Sequence, residues 1–245
     1  GKIPFVNTFT VFLTTLGLIS ARAQVCYGNL NVKFGGAYCG MSDALDGATH
    51  HATEDIAVMR ALPNMTVLVP SDATSTRWAT KYAVDTYGPM YLRLSRDVYP
   101  DLYDENTKFE CGKGAIVRDG TDVTVIACGI LVHKALEAAE QMAARGVSVR
   151  VVDMYSIKPI DRELILRCAQ ETGAIVTAEE HNIYGGLGSA VAEVLAWGGA
   201  AAPTEFVGIP DTFTETGKYT DLLAKYGVDA AGVVRGIERV LARKH

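Results

Sequence analysis

No two of the five cysteines make a CxxC pair. Cys26, Cys39, Cys111, Cys128 and Cys168 are scattered along the chain, which argues against a zinc site or a disulfide framework and fits a reducing compartment. A basic run is also missing, and the formal net charge is −5, so nucleic acid is not an expected partner. No stretch approaches the ~20 unbroken apolar residues of a membrane span. We therefore expect a cytoplasmic chain with neither membrane nor nucleic acid as partner. The nearest thing to a leader is the mainly apolar run Ile3 to Ile19, with Lys2 before it and Ala21-Arg22-Ala23 after it. Asn7, Thr8, Thr10, Thr14 and Thr15 interrupt that run, and a leader's apolar region is not so broken. The chain opens on Gly1 and not on Met, so its start is expected to be processed or to lie outside the sequence.

What is present is ample apolar material. The 245 residues are 49% hydrophobic, enough for one or two domains. Ile3–Thr8 reads as a short buried strand, and Asn7 or Thr8 could cap a helix from Phe9 to about Gln24. Val32–Phe34, Met65–Pro70 and Met90–Ser95 read as strands, with helices over 56–62 and from Ser71 or Asp72 to about Tyr87. Between Arg96 and Phe109 the composition turns polar, through Asp97, Pro100, Asp101, Asp104, Glu105 and Asn106. A domain boundary fits there, dividing the chain into 1–108 and 109–245.

The second half repeats the alternation. Gly114–Val117 and Val123–Cys128 flank Asp119-Gly120, a strong hairpin signal. Strands over 147–152, 174–178 and 205–209 alternate with helices over 131–142, 161–172, 185–197 and 230–243. Alternating strands and helices imply parallel sheets covered by helices. The expected fold class is α/β, as two consecutive parallel-sheet α/β domains. Gly185, Gly186 and Gly188 open a helix, but lack GxGxxG spacing and a P-loop lysine, so close packing is favoured there over phosphate binding.

One stretch concentrates chemistry. Leu45-Asp46-Gly47-Ala48-Thr49-His50-His51-Ala52-Thr53-Glu54-Asp55 carries two imidazoles and three carboxylates. Ile56, Met59 and Leu62 then recur at helical spacing, with Glu54 and Asp55 in the first turn where the helix dipole favours acids. Histidines on an anchored loop can reach a ligand and titrate near neutral pH. A capped helix behind a plain surface loop fits the same pattern.

Asp46–His51 with Glu54-Asp55 resembles the DGPTHQ…ED signature of transketolases. Ala61–Met65 with Val69–Ala73 resembles that family's LPNM…PSDA continuation, Gly88–Arg96 its GPxYxRxSR strand, and Ala178–His181 with Gly185–Gly188 its C-terminal domain. The matches keep family order along nearly the whole chain. They resemble the pyrimidine-binding and C-terminal domains of a transketolase, as in the second subunit of a split enzyme.

That resemblance implies thiamine diphosphate and Mg²⁺, with the metal held by a partner subunit that carries the diphosphate-binding domain, in an α2β2 hetero-oligomer acting on sugars. It implies cofactor contacts from Phe9, Phe12 and Thr15, and substrate contacts from Asp46, Arg96 and Tyr38. His50 would be catalytic, at the ketose carbonyl, and the chain would supply no metal ligand. His51 falls where the family asks for no histidine and reads as supporting or surface, and His181 as structural. Ordinary core packing would explain Phe9 and Phe12, a turn would explain Asp46, and a salt bridge Arg96.

Three departures stand out. The family's proton-relay glutamate lies in an AEQ motif upstream of the Ile3 strand, and no such motif occurs here. We expect it, with roughly the first βα unit, before Gly1. Tyr38 stands where many members have a phosphate-binding histidine, which points to an atypical donor such as a sulfonated or branched sugar. Thr15 stands where some members place an aromatic. Deoxyxylulose-phosphate synthase, a 2-oxo acid dehydrogenase β subunit and a non-catalytic scaffold are the competing readings.

Overall fold

The computed structural model describes residues 1–244. The chain starts with β1 (Phe5–Phe9), α1 (Thr10–Thr14) and α2 (Leu18–Ser20), which runs on into a π-helical segment (Ala21–Cys26). There follow β2 (Lys33–Ala37), α3 (Asp55–Ala61), β3 (Thr66–Leu68), α4 (Ala73–Asp85) and β4 (Met90–Arg93). The second half has β5 (Ala115–Arg118), β6 (Val123–Ala127), α5 (Ile130–Ala143), β7 (Val149–Asp153), β8 (Ser156–Lys158) and α6 (Arg162–Thr172). It ends with β9 (Ile175–Asn182), α7 (Leu187–Gly198), β10 (Thr204–Ile209), α8 (Tyr219–Lys225) and α9 (Ala230–Leu241).

Two five-stranded sheets result, in the orders β1-β2-β4-β3-β8 and β10-β9-β6-β7-β5. The α/β class holds, but each sheet is mixed. β8 runs antiparallel to β3, and β5 antiparallel to β7. The hairpin expected at Asp119-Gly120 does not form: β5 and β6 lie on either side of β7 and pair with it, not with each other. The turn signal was real, since Gly120 lies hard against the Val149–Arg150 backbone, where a Cβ would come within 2.3 Å. The connection from β5 passes β7's end to reach β6 on its other side.

The helix expected over Phe9–Gln24 is also corrected. Phe9 closes β1 and stands at the N-terminus of α1, which has no side-chain cap, and the helical path is interrupted after Thr14. The threonines explain part of this. Thr14 and Thr15 turn their hydroxyls back onto the carbonyls of Thr10 and Val11, a contact that bends helices. Elsewhere the local signals are honoured. Asp72, not Ser71, caps α4, accepting from Ser75 N–H at 2.7 Å within a reciprocal capping box, and Gly173 ends α6 in the left-handed conformation.

The two sheets share a core. Ile56, Met59, Val67 and Tyr91 of the first half pack in one cluster with Ile126, Val152, Met154 and Ile165 of the second. Full burial of such side chains stabilises by ~1.5–3 kcal/mol each. The polar segment after Arg96 is anchored too: Tyr103 and Phe109 pack edge to face at 4.8 Å, and Phe109 lies 5.3 Å from both Trp78 and Tyr155. β8 then adds to the first sheet, and Lys158 Nζ donates to the Arg60 carbonyl at 2.8 Å.

A buried carboxylate sits in this seam. Asp153, at the end of β7, accepts from Ser71 Oγ and from Tyr103 Oη, both at 2.8 Å. Burial pushes its carboxyl up to about 7 despite those two bonds. The folded protein therefore holds this proton over a range where the unfolded chain has lost it, and stability falls as pH rises from about 4 to about 7. Asp153→Asn removes that slope. Urea denaturation of both proteins at pH 5 and pH 8 should show the variant gaining about 3 kcal/mol on the wild type between the two; a pH-independent difference would refute the assignment.

The glycines before α7 behave as packing residues. The Leu187 and Gly188 N–H groups donate to the Glu179 carboxylate at 2.7 and 2.8 Å, so the anion at this helix terminus is the chain's own. A Cβ on Gly186 would come within 2.1 Å of Glu179 Oε2 and 2.7 Å of His181 Nδ1. The carboxylate is held by two N–H groups and cannot retreat. Gly186→Ala should lower unfolding stability by about 1–3 kcal/mol, read as a reduced urea midpoint.

Candidate active site at the carboxyl ends of the first sheet

Neighbouring parallel strands β1, β2 and β4 all end on one edge of the first sheet. Phe9 is the last residue of β1, Tyr38 follows β2, and Arg96 lies just past β4. The loop from Tyr38 to Glu54 rises from the same edge and carries Asp46 and His50. This is where ligands bind in open α/β sheets.

The aromatic side chains form a continuous wall. The Phe9 and Phe12 rings are 5.8 Å apart and tilted by 54°. His50 meets both edge-on, at 5.8 Å from Phe9 and 5.3 Å from Phe12. Tyr38 continues the wall at 4.7 Å from Phe9, and the Arg96 guanidinium lies over the Tyr38 ring at 5.3 Å. Tyr38 holds its place with φ of +60°, a left-handed conformation that is strained for an aromatic residue and typical of binding sites. His50 is half-buried, its Nδ1 3.0 Å from Thr49 Oγ1. Asp46 is exposed on the same loop. Thr15 is exposed, its hydroxyl turned back onto Val11 O.

The histidine loop is clasped from behind by the second half of the chain. Gly47 takes φ of +77°, and a Cβ there would meet Thr216 Oγ1 at 2.5 Å. Gly217 N–H donates to Ala44 O at 3.1 Å, and His51 Nδ1 lies 2.6 Å from Thr214 Oγ1. His51 is thus buried rather than on the surface, and burial lowers its basicity. His181 is buried as well. Its Nε2 accepts from Ala57 N–H at 3.3 Å, and its Nδ1–H donates to Asn182 O at 2.7 Å.

Beneath the loop lies a pair that sequence reasoning did not single out. Arg93 donates to both oxygens of Asp55, at 2.7 and 3.0 Å, and to the Glu180 carbonyl at 2.9 Å. Tyr91 Oη adds a bond to Asp55 at 2.6 Å. Burial alone would raise the Asp55 carboxyl, but the guanidinium beside it holds it below the usual range. Asp55 does begin α3 as expected, yet it faces the core. The adjoining Glu180 carboxylate accepts from Met41 N–H at 2.6 Å and from Tyr219 Oη at 2.9 Å, and burial pushes its carboxyl up to about 7. Nearby Cys39 is no nucleophile, since burial drives its thiol up to about 12. The partial signals were Asp55 in a helical run and Glu179-Glu180-His181 after an apolar strand.

The residues of this wall suit part of thiamine diphosphate. Flat, half-buried rings with an imidazole edge offer a planar heteroaromatic ring a stacking surface. Among the described residues no group of three His, Cys, Asp or Glu side chains could hold a metal ion. No helix among them is long and apolar enough to cross a membrane.

The fold and the domain pair are of transketolase type. A model of the transketolase pyrimidine binding domain matches residues 1–101, and one of the transketolase C-terminal domain matches residues 112–233. The chain is 40% identical over 245 residues to a 6-deoxy-6-sulfo-D-fructose transketolase subunit of Clostridium sp. (strain MSTE9), spanning 100% of this chain and 76% of the relative. It is 42% identical over 225 residues to 1-deoxy-D-xylulose-5-phosphate synthase 1 of Geobacter sulfurreducens, spanning 90% of this chain and 35% of that enzyme. A solved split gene transketolase, described as an inactive β4 tetramer, superposes with a TM-score of 0.93 at 46% identity, covering 100% of this chain and 78% of the other. The chain belongs to the transketolase family.

Proposed function

We propose that this chain is the second subunit of a split transketolase and forms half of a shared active site. The observation that carries this is the open wall of Phe9, Phe12 and His50 on the ligand-binding edge of the first sheet. The helical run that leaves the wall and the histidine loop itself expose apolar side chains: Leu16 (81%), Ile19 (80%) and Leu45 (69%). Such a face is unusual for a surface that stays in water and suits a partner subunit that brings the diphosphate and metal sites. One partner subunit per wall gives equal numbers of the two subunits, as an α2β2 assembly has.

Thiamine diphosphate, when bound, supplies the electron sink for carbon–carbon cleavage and ketol transfer. Phe9 and Phe12 would hold its aminopyrimidine ring in place, and Thr15 caps the end of the short helix that carries Phe12. His50 stabilises charge or moves a proton at the ketose carbonyl oxygen. Asp46 accepts a hydrogen bond from a substrate hydroxyl. Arg96 and Tyr38 face the far end of the sugar. A donor with an atypical end is favoured by the neutral Tyr38 at that end. The resemblance to a sulfofructose transketolase subunit supports the same choice.

The purified chain alone should transfer no ketol. With a diphosphate-binding partner subunit, thiamine diphosphate and Mg²⁺, it should convert a ketose and an aldose. Full turnover by the chain alone would sink the proposal. A complex that uses pyruvate but not a ketose donor would instead favour the deoxyxylulose-phosphate synthase reading, which the Geobacter relative keeps in view. The exposed face gives a second check. Ile19→Glu should leave the thermal midpoint of the isolated chain within about 2 °C, since surface changes rarely exceed ±0.5 kcal/mol. It should weaken capture of the partner subunit tenfold or more, as a buried charge at an interface does.

A further inference from the structure

We infer that Asp43 is a specificity-determining residue, which neutralises Arg96 and turns the far end of the donor site away from phosphate dianions toward sugars with an uncharged or singly charged end. This rests on the transketolase reading above. The path to that end is drawn by contacts: His50 touches Phe9, Phe9 touches Tyr38, and Tyr38 lies under Arg96. Beside Arg96 opens a cavity of about 370 Å³, with Leu45, Asp97, Lys218 and Tyr219 among its walls. A guanidinium here would serve a phosphate well if it were free. It is not free. Arg96 Nη1 donates to Asp43 Oδ1 at 2.6 Å, while the Arg96 side chain stays 53% exposed and that of Asp43 only 1%.

The carboxylate is committed to this place. Asp43 is buried, and its second oxygen, Oδ2, is also buried and has no hydrogen-bond partner among the described residues. An unpaired carboxylate oxygen away from water is costly, and its negative charge is compensated by Arg96 alone among the bonds it makes. Arg96 and Lys218 line the cavity with Asp97, and Asp43 holds Arg96 from behind, so these four charges cancel. Tyr38 adds a hydroxyl and no charge. A dianion entering here meets Asp43 directly behind the Arg96 guanidinium that would receive it. A hydroxyl or a sulfonate meets far less repulsion, and the Tyr38 ring and Arg96 remain for it to contact. Discrimination of this kind arises from a repulsive element as much as from attraction.

The test uses the reconstituted complex with thiamine diphosphate and Mg²⁺. Three donors are compared by kcat/KM: D-fructose 6-phosphate, 6-deoxy-6-sulfo-D-fructose and D-fructose. Asp43→Asn keeps the shape and removes the charge. It should raise the ratio of the phosphate donor to D-fructose by roughly tenfold, mainly through KM, with a smaller rise for the sulfonate. Arg96→Met in the Asp43→Asn background should abolish the gain. A purely structural role for Asp43 would lower activity with all three donors alike, and so would leave the ratios in place. Unchanged ratios, or a fall for the phosphate donor, would overturn the inference while leaving the transketolase reading intact. No transfer from any donor would overturn that reading, and the inference with it.

Discussion

Arg93→Met should be the most destabilising single substitution in the first half of the chain, at about 3–5 kcal/mol. Arg93 and Asp55 are 3% and 0% exposed, and two bonds join them. Removing the cation leaves a carboxylate in the core with only the Tyr91 hydroxyl. It also strips a donor from the Glu180 carbonyl and so loosens the second half from the first. Urea denaturation at pH 7 measures the loss. Two accompaniments separate this account from general damage. Arg93→Met with Asp55→Leu should recover most of the stability, because replacing a whole buried pair by apolar groups is nearly neutral. The pH dependence should change as well. The Asp55 carboxyl lies below its ordinary 3.8 in the folded state, so its contribution is complete above about pH 4 and is lost as pH falls further. Without Arg93 the carboxyl rises, and acid should then cost the variant less than the wild type. A loss below ~1 kcal/mol at pH 7, or no recovery in the double variant, would reject the assignment.

The position of this pair explains what could be read without a structure. Strand and helix identity came from local chemistry. Met90–Arg93 is an apolar run, Asp72 is a cap, and Gly173 is a stop, and each acts within a few residues of itself. Partners far apart in sequence were not legible. Arg93 reaches Asp55 across 38 positions and Glu180 across 87, and no pattern in either segment announces the other. The Asp119-Gly120 hairpin failed for the same reason: a turn signal reports a reversal but not which strand waits on the far side, and β7 supplied that partner. Of the wall, Phe9, Phe12 and His50 were legible because family motifs mark them. Asp43 and Thr214 were not, since a lone aspartate within a loop and a threonine after a strand carry no signal until the loop folds into place. Phe9 does stand beside Phe12, but on a different element from the helix expected for it. It closes a strand, and the two rings meet across the strand–helix junction.

His50→Ala should lower ketol transfer by the reconstituted complex about 10²–10⁴-fold, the range for a positioned proton-transfer group. The argument is geometric. His50 is the titratable side chain that stands edge-on to both Phe9 and Phe12. Any planar group laid on those rings therefore has an imidazole at its border. The loop beneath it has little freedom, because Gly47 admits no side chain against Thr216 and His51 is tied to Thr214. His50 is thus presented at a fixed point, as a proton donor or acceptor must be. A packing role would give a different result. His50→Phe keeps an aromatic edge against the two rings, so it should restore stability and partner binding without restoring turnover. The loss should fall on kcat more than on KM, since charge develops on the carbonyl oxygen during reaction and not on binding. Thr214→Val frees His51 and should cost a fraction of the same kcat, with Thr214→Ser restoring it. Unchanged turnover after His50→Ala would bring forward the reading of a subunit that keeps the fold and has lost the chemistry, and the aromatic wall would then be packing and nothing more.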